Sequence, residues 1–276
     1  MKIIAFCVLN EGYVDPAIVA LRSFCRWNST IEVICYVEKG ANYANLQQAL
    51  DGYLVSYKEV PFPKEDIFNK AGGKYLLIPN SAMPAISQRL ICLDELKKNY
   101  DLIINFDLDT LFCNSIKNAL NNADSNHIYG VDEKENRNKW ITNFCLKEWI
   151  PGNKYFNTGF VIYGAKVLRN FSLYESYLKA LNKNPEHFNC PEQDFLNYLL
   201  NDYLILLKPN YNLMFTDKLY FSVAPVMIHF YGSLKPWNSQ GRYLGNVGFY
   251  YDKYKKIAQQ YQRWLSPEFI KQLISD

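Results

Sequence analysis

Nowhere does the chain carry a long apolar run. No stretch of its 276 residues approaches the eighteen or more consecutive apolar residues that a membrane-spanning helix needs, which excludes one. No charge sign dominates either: 30 Lys and Arg against 27 Asp and Glu leave +3 at neutral pH. That balance falls short of the basic footprint of a nucleic-acid binder, so nucleic acid is not an expected partner. Cysteine pairs are missing as well. The seven cysteines (Cys7, Cys25, Cys35, Cys92, Cys113, Cys145 and Cys190) are odd in number, scattered, mostly inside apolar segments and never spaced as CxxC. This argues against a disulfide frame or zinc site and for reduced, buried thiols in a cytoplasmic protein. Internal repeats, low-complexity tracts and linkers are also absent.

What is present is a hydrophobic content of 49%, ample for a sizeable core, and 22 tyrosines and 17 phenylalanines. Amphipathic rings in that number suit a groove for sugars or bases, although most must serve the core. The opening Met1 to Leu9 has the look of a short signal peptide, but Asn10, Glu11 and Asp15 cut its apolar run, and it reads as the first strand. Strand-like runs then alternate with helical patterns: a helix near Pro16 to Trp27 capped by Asp15, a strand from Ile31 to Val37, a helix near Tyr43 to Leu50, and a strand from Leu54 to Val60. A polar loop from Pro61 to Pro84 leads to a helix near Ala85 to Asn99 and a strand from Leu102 to Phe106. Such alternation predicts an α/β fold with a parallel sheet.

Beyond residue 113 the pattern loosens, and Asp132 to Pro151 reads as an irregular excursion. Gly159 divides a strand-like run from Phe156 to Tyr163, and helices are expected near Lys166 to Lys183 and Glu192 to Leu200. The economical division is one domain over residues 1–245 and a C-terminal helical appendage over 246–276. The appendage mixes Lys253, Lys255, Lys256 and Arg263 with Tyr254, Ile257, Tyr261, Trp264 and Leu265. Packing of its apolar stripe on the domain is the preferred reading, and peripheral attachment to an anionic membrane the second.

Two clusters carry chemistry. Ile103 to Phe112 sets Asp107 and Asp109 at the end of an apolar run, where a continuing strand would point both the same way. Paired anions at the edge of an apolar sheet need a counter-charge, and a hard divalent cation supplies one. The carboxyl end of an open sheet is also where α/β proteins bind ligands. Far downstream, Ile228 to Trp237 offers the imidazole of His229, Gly232 where a backbone amide can approach a phosphate, and the point charge of Lys235. Singly, each has a dull explanation: a core histidine, a turn, a surface lysine. Together they describe a metal and pyrophosphate clamp.

These segments resemble the family 8 retaining glycosyltransferases, the group that includes glycogenin and bacterial lipopolysaccharide galactosyl- and glucosyltransferases, and do so in the family's order from the first strand to Trp237. The resemblance implies a GT-A, Rossmann-like nucleotide-diphospho-sugar transferase fold with a mixed central sheet. It implies Asn10 and Tyr13 at the uracil and ribose, Arg89 at the donor, and Asp107 and Asp109 as DxD metal ligands with Leu108 between them among the donor contacts. Asp132 falls near the donor sugar, Asn157 in Phe156-Asn157-Thr158-Gly159 faces that sugar, and Glu192-Gln193-Asp194 matches the DQD helix start. His229 becomes the third metal ligand, with Gly232 and Lys235 on the diphosphate. Glu192 departs from the family's aspartate by one methylene, which shifts its carboxylate by roughly an ångström.

The implied activity is a Mn2+- or Mg2+-dependent, retaining transfer of a hexose, glucose or galactose first, from a UDP-sugar to a saccharide, glycolipid or protein acceptor. Gln193, an amide, is a feeble nucleophile, so front-face departure and attack are expected, with Gln193 and Asn157 positioning the sugar. Two other classes stay open. Phe106 to Leu111 also resembles the nucleophile motif of haloacid-dehalogenase-type phosphatases, with Asp107 as nucleophile, though Leu111 stands where that motif wants Thr or Val. A non-catalytic sugar-nucleotide scaffold is the other, and self-glycosylation on a tyrosine is a narrower variant of the transferase.

Overall fold

The computed structural model describes residues 1–64, 83–133, 154–184, 188, 190–214, 224–232, 235–237 and 263–264. Among them run ten strands: β1 (Ile3–Leu9), β2 (Val33–Glu38), β3 (Val55–Val60), β4 (Leu102–Phe106), β5 (Thr110–Phe112), β6 (Ile128–Asp132), β7 (Phe156–Gly164), β8 (Leu204–Leu207), β9 (Leu213–Met214) and β10 (Met227–His229). The helices are α1 (Val14–Trp27), α2 (Ala44–Ala49), α3 (Met83–Leu96), α4 (Lys117–Asn121), α5 (Ala165–Leu168), α6 (Leu173–Lys183) and α7 (Pro191–Leu200).

Seven strands form one sheet in the order β3-β2-β1-β4-β7-β6-β8. The first four are parallel, joined by helical crossovers, whereas β7 runs antiparallel to both β4 and β6. The mixed sheet expected above is therefore present. Helices cover both faces, so β1 and β4 read as near-continuous apolar runs. Strand alternation divides their side chains between two cores. Ala5, Cys7 and Leu9 of β1, with Ile104 and Phe106 of β4, pack against Ala17, Leu21 and Phe24 of α1. Ile4, Phe6 and Ile103 pack on the other face with Leu90 and Leu93 of α3 and Tyr177 and Phe195 of α6 and α7.

A second, three-stranded sheet, β5-β10-β9, sits beyond the end of β4. Its antiparallel register sets His229 opposite Thr110, which brings residues separated by more than a hundred positions to the end of the central sheet. None of β6, β8, β9 or β10 was expected, because short strands with sparse pattern owe their existence to partners remote in sequence.

Several boundaries differ from the sequence reading. Asp15 is not the cap of α1: a 3-10 turn over Glu11–Tyr13 runs straight into the helix, placing Asp15 in its first turn, where a carboxylate suits the positive end. Gly159 does not divide β7, which is continuous. The helix expected over Lys166 to Lys183 is two, α5 and α6. The second starts afresh because Asp94 of α3 accepts hydrogen bonds from the backbone N–H groups of Leu173 and Tyr174, both at 3.0 Å, capping it from another element. Helix α7 opens on Pro191 as expected.

The parts of the Pro61 to Pro84 loop over 65–82, and the excursion over 134–153, lie outside the described residues, as does the appendage except for Arg263 and Trp264. Trp264 packs against Val19, Leu111, Ile228 and Phe230, and its carbonyl accepts a 3.0 Å hydrogen bond from Arg22. Among the described residues no helix is long and apolar enough to cross a membrane.

Phe106 anchors the end of β4: its ring stacks on Phe24 at 4.8 Å and meets Phe112 edge-on at 5.2 Å. Phe106→Ala should lower the free energy of urea unfolding by roughly 3–5 kcal/mol, whereas Leu54→Ala, at a side chain 54% exposed, should stay within about 0.5 kcal/mol of wild type.

Candidate active site

The strand does not continue through both aspartates. It ends at Phe106, and Asp107 to Asp109 form a bend, held where Asp107 N–H donates to the Gly159 carbonyl at 2.9 Å and Thr110 Oγ1 donates to the Asp107 carbonyl at 2.7 Å. The carboxylates converge all the same, because β10 docks on β5 and Phe230 N–H bonds the Asp109 carbonyl at 2.9 Å. His229 Nε2 lies 3.3 Å from Asp109 Oδ1 and 3.6 Å from Asp107 Oδ2. Burial works against a charged imidazole, but Asp109 and then Asp107 outweigh it and raise the His229 pKa.

Two cations neutralise the acids from either side. Arg89 of α3 pairs with Asp107 at 2.7 Å, and Lys235 pairs with Asp109 while also donating to the Phe230 carbonyl at 2.7 Å. Burial pushes the Asp107 carboxyl up against the pull of Arg89, whereas at Asp109 the His229 and Lys235 charges overcome burial and hold it well below the usual carboxylate range. One oxygen of each aspartate and a nitrogen of His229 all lie within 4.8 Å of one another. Two carboxylates and an imidazole make a donor set that suits Mn2+ or Mg2+.

Around this centre stand the other expected residues. The Tyr13 ring lies edge-on to Trp237 at 6.0 Å, and burial, with Asp109 and Asp107 beside it, pushes its hydroxyl up to about 12. Asn10 begins the 3-10 turn, and its buried Oδ1 has no hydrogen-bond partner among the described residues. The Leu108 side chain belongs to the core on the α1 side, so any contact it makes with a donor is through its main chain. Gly232 has φ +78°, and a Cβ there would meet nothing within 4 Å, so the glycine is required by the turn and not by crowding. Gly159 is the opposite case: a Cβ would lie 2.2 Å from His229 Cε1 and 2.5 Å from Nδ1. The imidazole occupies the space a side chain would need, which is what the glycine in that strand is for.

Helix α7 is docked on β7 by Asn197, whose amide accepts from Phe156 N–H and donates to the Phe156 carbonyl, both at 2.8 Å. Its first turn thereby meets the end of the sheet. Gln193 is engaged at both ends: Oε1 accepts from Thr158 N–H at 3.0 Å and Asn157 Nδ2 at 3.1 Å, and Nε2 donates to Glu133 at 2.9 Å and to the Tyr155 hydroxyl at 3.0 Å. Tyr155 donates to Asp194, which also accepts from Cys190 N–H at 2.7 Å, as a first-turn acid reaching back to cap its own helix. Asp132 ends β6 opposite Phe156, but the carboxylate that meets Asn157, at 3.2 Å, and Gln193 is that of its neighbour Glu133. Sequence reasoning missed Glu133, Tyr155 and Asn212. A polar residue at the far end of a strand that looks irregular in sequence gives no signal until its partners are assembled.

Glu192 lies 2% exposed, accepts from Thr158 Oγ1 at 3.2 Å through Oε2, and has Arg89 3.8 Å away. Its Oε1 is buried with no hydrogen-bond partner among the described residues. Burial raises its pKa to about 7 against the opposing charge of Arg89. The folded state thus keeps a proton that the unfolded chain releases near 4.5, so this group costs stability as pH rises through that window, and the cost levels off above about 7. Without added divalent cation, the stability difference between Glu192→Gln and wild type should therefore swing toward the variant between those pH values and be constant outside them, as urea titrations at stepped pH would show. Gly159→Ala should displace His229 and so disable the donor set that could hold a divalent cation, which calorimetry with Mn2+ on variant and wild type would check, while helical circular dichroism persists.

Residues 3–241 match the sequence model of the family described as glycosyl transferase family 8. Among curated proteins no sequence matches. Solved structures do. The galactosyltransferase LgtC, crystallised with donor and acceptor sugar analogues, superposes with a TM-score of 0.67 at 20% identity, over 94% of this chain and 95% of that one. The glycosyltransferase GlyE of Streptococcus pneumoniae TIGR4 gives 0.65 at 15% identity, over 99% of this chain and 63% of its own. Mouse xyloside xylosyltransferase 1 gives 0.53 at 14% identity, over 83% and 97%. Likeness at such identity speaks for the fold alone, a mixed α/β architecture of the GT-A type. The match to the family model spans most of the sequence, and on that ground the chain belongs to glycosyl transferase family 8.

Proposed function

We propose that this glycosyltransferase moves a hexose, glucose or galactose, from a UDP-sugar to a saccharide, glycolipid or protein acceptor, with retention at the anomeric carbon. The observation that carries the reading is the convergence of Asp107, Asp109 and His229, from distant segments of a family 8 chain, on one point flanked by Arg89 and Lys235. A bound Mn2+ or Mg2+ would be held by those three side chains and would lend positive charge to the departing diphosphate. Lys235 adds a second positive charge for that leaving group, and the turn at Gly232 presents backbone beside it. Tyr13 and Asn10 take the nucleoside, the first by its ring and the second by its unpartnered Oδ1.

On the sugar side, Glu192 Oε1 accepts a hydroxyl of the donor, which satisfies a buried oxygen left without a partner. Asn157 and Gln193, both held by Glu133, form the floor beneath the sugar. The bond from the anomeric carbon to the diphosphate oxygen breaks as that from the acceptor oxygen forms on the same face, and the acceptor's proton passes to the departing phosphate. The occupied carbonyl of Gln193 supports this route, since an oxygen already accepting from Thr158 and Asn157 is poorly placed to attack. The domain is proposed to span 1–245, with the 246–276 segment packed on it as the Trp264 contacts suggest, in a cytoplasmic protein.

A screen of UDP-glucose, UDP-galactose, UDP-xylose and UDP-N-acetylglucosamine for Mn2+-dependent hydrolysis tests the donor without needing an acceptor. One of the first two should be turned over slowly, and Asp109→Asn should cut that rate roughly a hundredfold or more. Hydrolysis that survives both chelation and Asp109→Asn would sink the proposal, as would a covalent glycosyl adduct on Gln193 or Glu192 for the front-face route.

A further inference from the structure

Asn212 stands at the end of the 3-10 turn Pro209–Asn212, immediately before β9, and is 1% exposed. Its Oδ1 lies 3.0 Å from His229 Nδ1, and its Nδ2 donates to Asn157 Oδ1 at 2.8 Å. Which end of each amide is oxygen follows from one group whose role is fixed. The backbone N–H of Gly159 can only donate, and it points at Asn157 from 2.8 Å. The Asn157 atom there must be the carbonyl oxygen, so the Asn212 atom that also meets it must be the amide nitrogen. The other end of Asn212, facing His229, is then an acceptor, and His229 Nδ1 must carry a hydrogen.

We infer that Asn212 is a positioning residue that locks His229 in its Nδ1–H tautomer and so turns the lone pair of Nε2 toward Asp107 and Asp109. A ring nitrogen ligates a metal only when unprotonated, and the tautomer is set by the partner of the other nitrogen. Gly159 supports the same arrangement by giving up the space the ring fills, and its N–H sets the direction of the whole chain of amides. The chain does not stop at Asn157, whose Nδ2 reaches Gln193 and Glu133. The orientation of the imidazole at the cation site and that of the amide beneath the sugar are thus one hydrogen-bonded unit. The inference rests on the cation reading of the preceding subsection for its purpose, but its tautomer assignment can be read without any cation.

The experiment takes the full-length protein with 15N-labelled histidine, of which the chain has three. In the metal-free protein, at a pH where the ring is neutral, the His229 nitrogen shifts should show the proton on Nδ1 in wild type. Asn212→Leu should move population to the Nε2–H form and weaken Mn2+ binding in calorimetry roughly ten- to a hundredfold. Asn212→Asp keeps the acceptor for Nδ1–H while losing the donor to Asn157, so it should retain the Nδ1–H signature and bind Mn2+ within about threefold of wild type. A residue serving only as packing would show the reverse order, with the buried aspartate worse than the leucine. The inference is overturned if Asn212→Leu keeps both the signature and the affinity, or if Asn212→Asp loses the signature; the aspartate variant decides alone should the leucine variant not fold. Absence of Mn2+ binding by wild type would strike the cation reading and leave the ring signature to judge Asn212.

Discussion

Two carboxylates at the end of a buried strand govern the arrangement of everything near them. At roughly 4 Å and an effective dielectric near 20, two like charges repel by about 4 kcal/mol, before the cost of removing them from water. Asp107 and Asp109 are tolerated because Arg89 from α3 and Lys235 from the turn after β10 bring positive charge to them, and the imidazole of His229 from β10 lies against both. The two cations are able to meet phosphate, and the imidazole is able to share a metal ion with the acids. The side chains that meet the acids' demand for compensation are the ones that would cradle the proposed nucleoside diphosphate, and the fold brings them together in one place.

The second constraint is the buried amide network on the sugar side. Gln193, Asn157, Asn212 and Asn197 are each satisfied at both ends where their partners can be traced, and Glu133 and Tyr155 complete the set. In a low-dielectric setting such a network fixes geometry because any rotated amide would leave donors facing donors. Against that background Glu192 Oε1 stands out as a buried acceptor without a donor. A buried oxygen left unsatisfied calls for an explanation, and a hydroxyl of the proposed donor sugar would supply one.

Much of the fold could be read before any coordinates. The first four strands and the helices between them carry a clear apolar pattern, strongest in β1, β2 and β4, which are buried on both faces. The later strands could not. Residues of β8 and β9 are few, and β10 is only three long, so their pairing rather than their composition makes them strands. The break between α5 and α6 is decided by Asp94, a residue of α3, and no window around Ser172 records it. At the site, Asp107, Asp109, His229 and Lys235 were legible because their chemistry is distinctive and Arg89 through the family resemblance, whereas Glu133, Tyr155 and Asn212 are common residue types whose roles come only from what they touch.

By itself the sequence determined the α/β alternation, the approximate bounds of the early strands and the identity of the metal-capable side chains, since each is a local property of residue type and spacing. Tertiary structure alone decided that a bend, and not a continuing strand, carries both aspartates, that His229 meets them across more than a hundred residues, and that Glu133 rather than Asp132 faces the amides. The physical reason is common to all three. Register between strands and the direction of a hydrogen bond are relations between distant chain segments, and they acquire a value only when the chain has closed on itself.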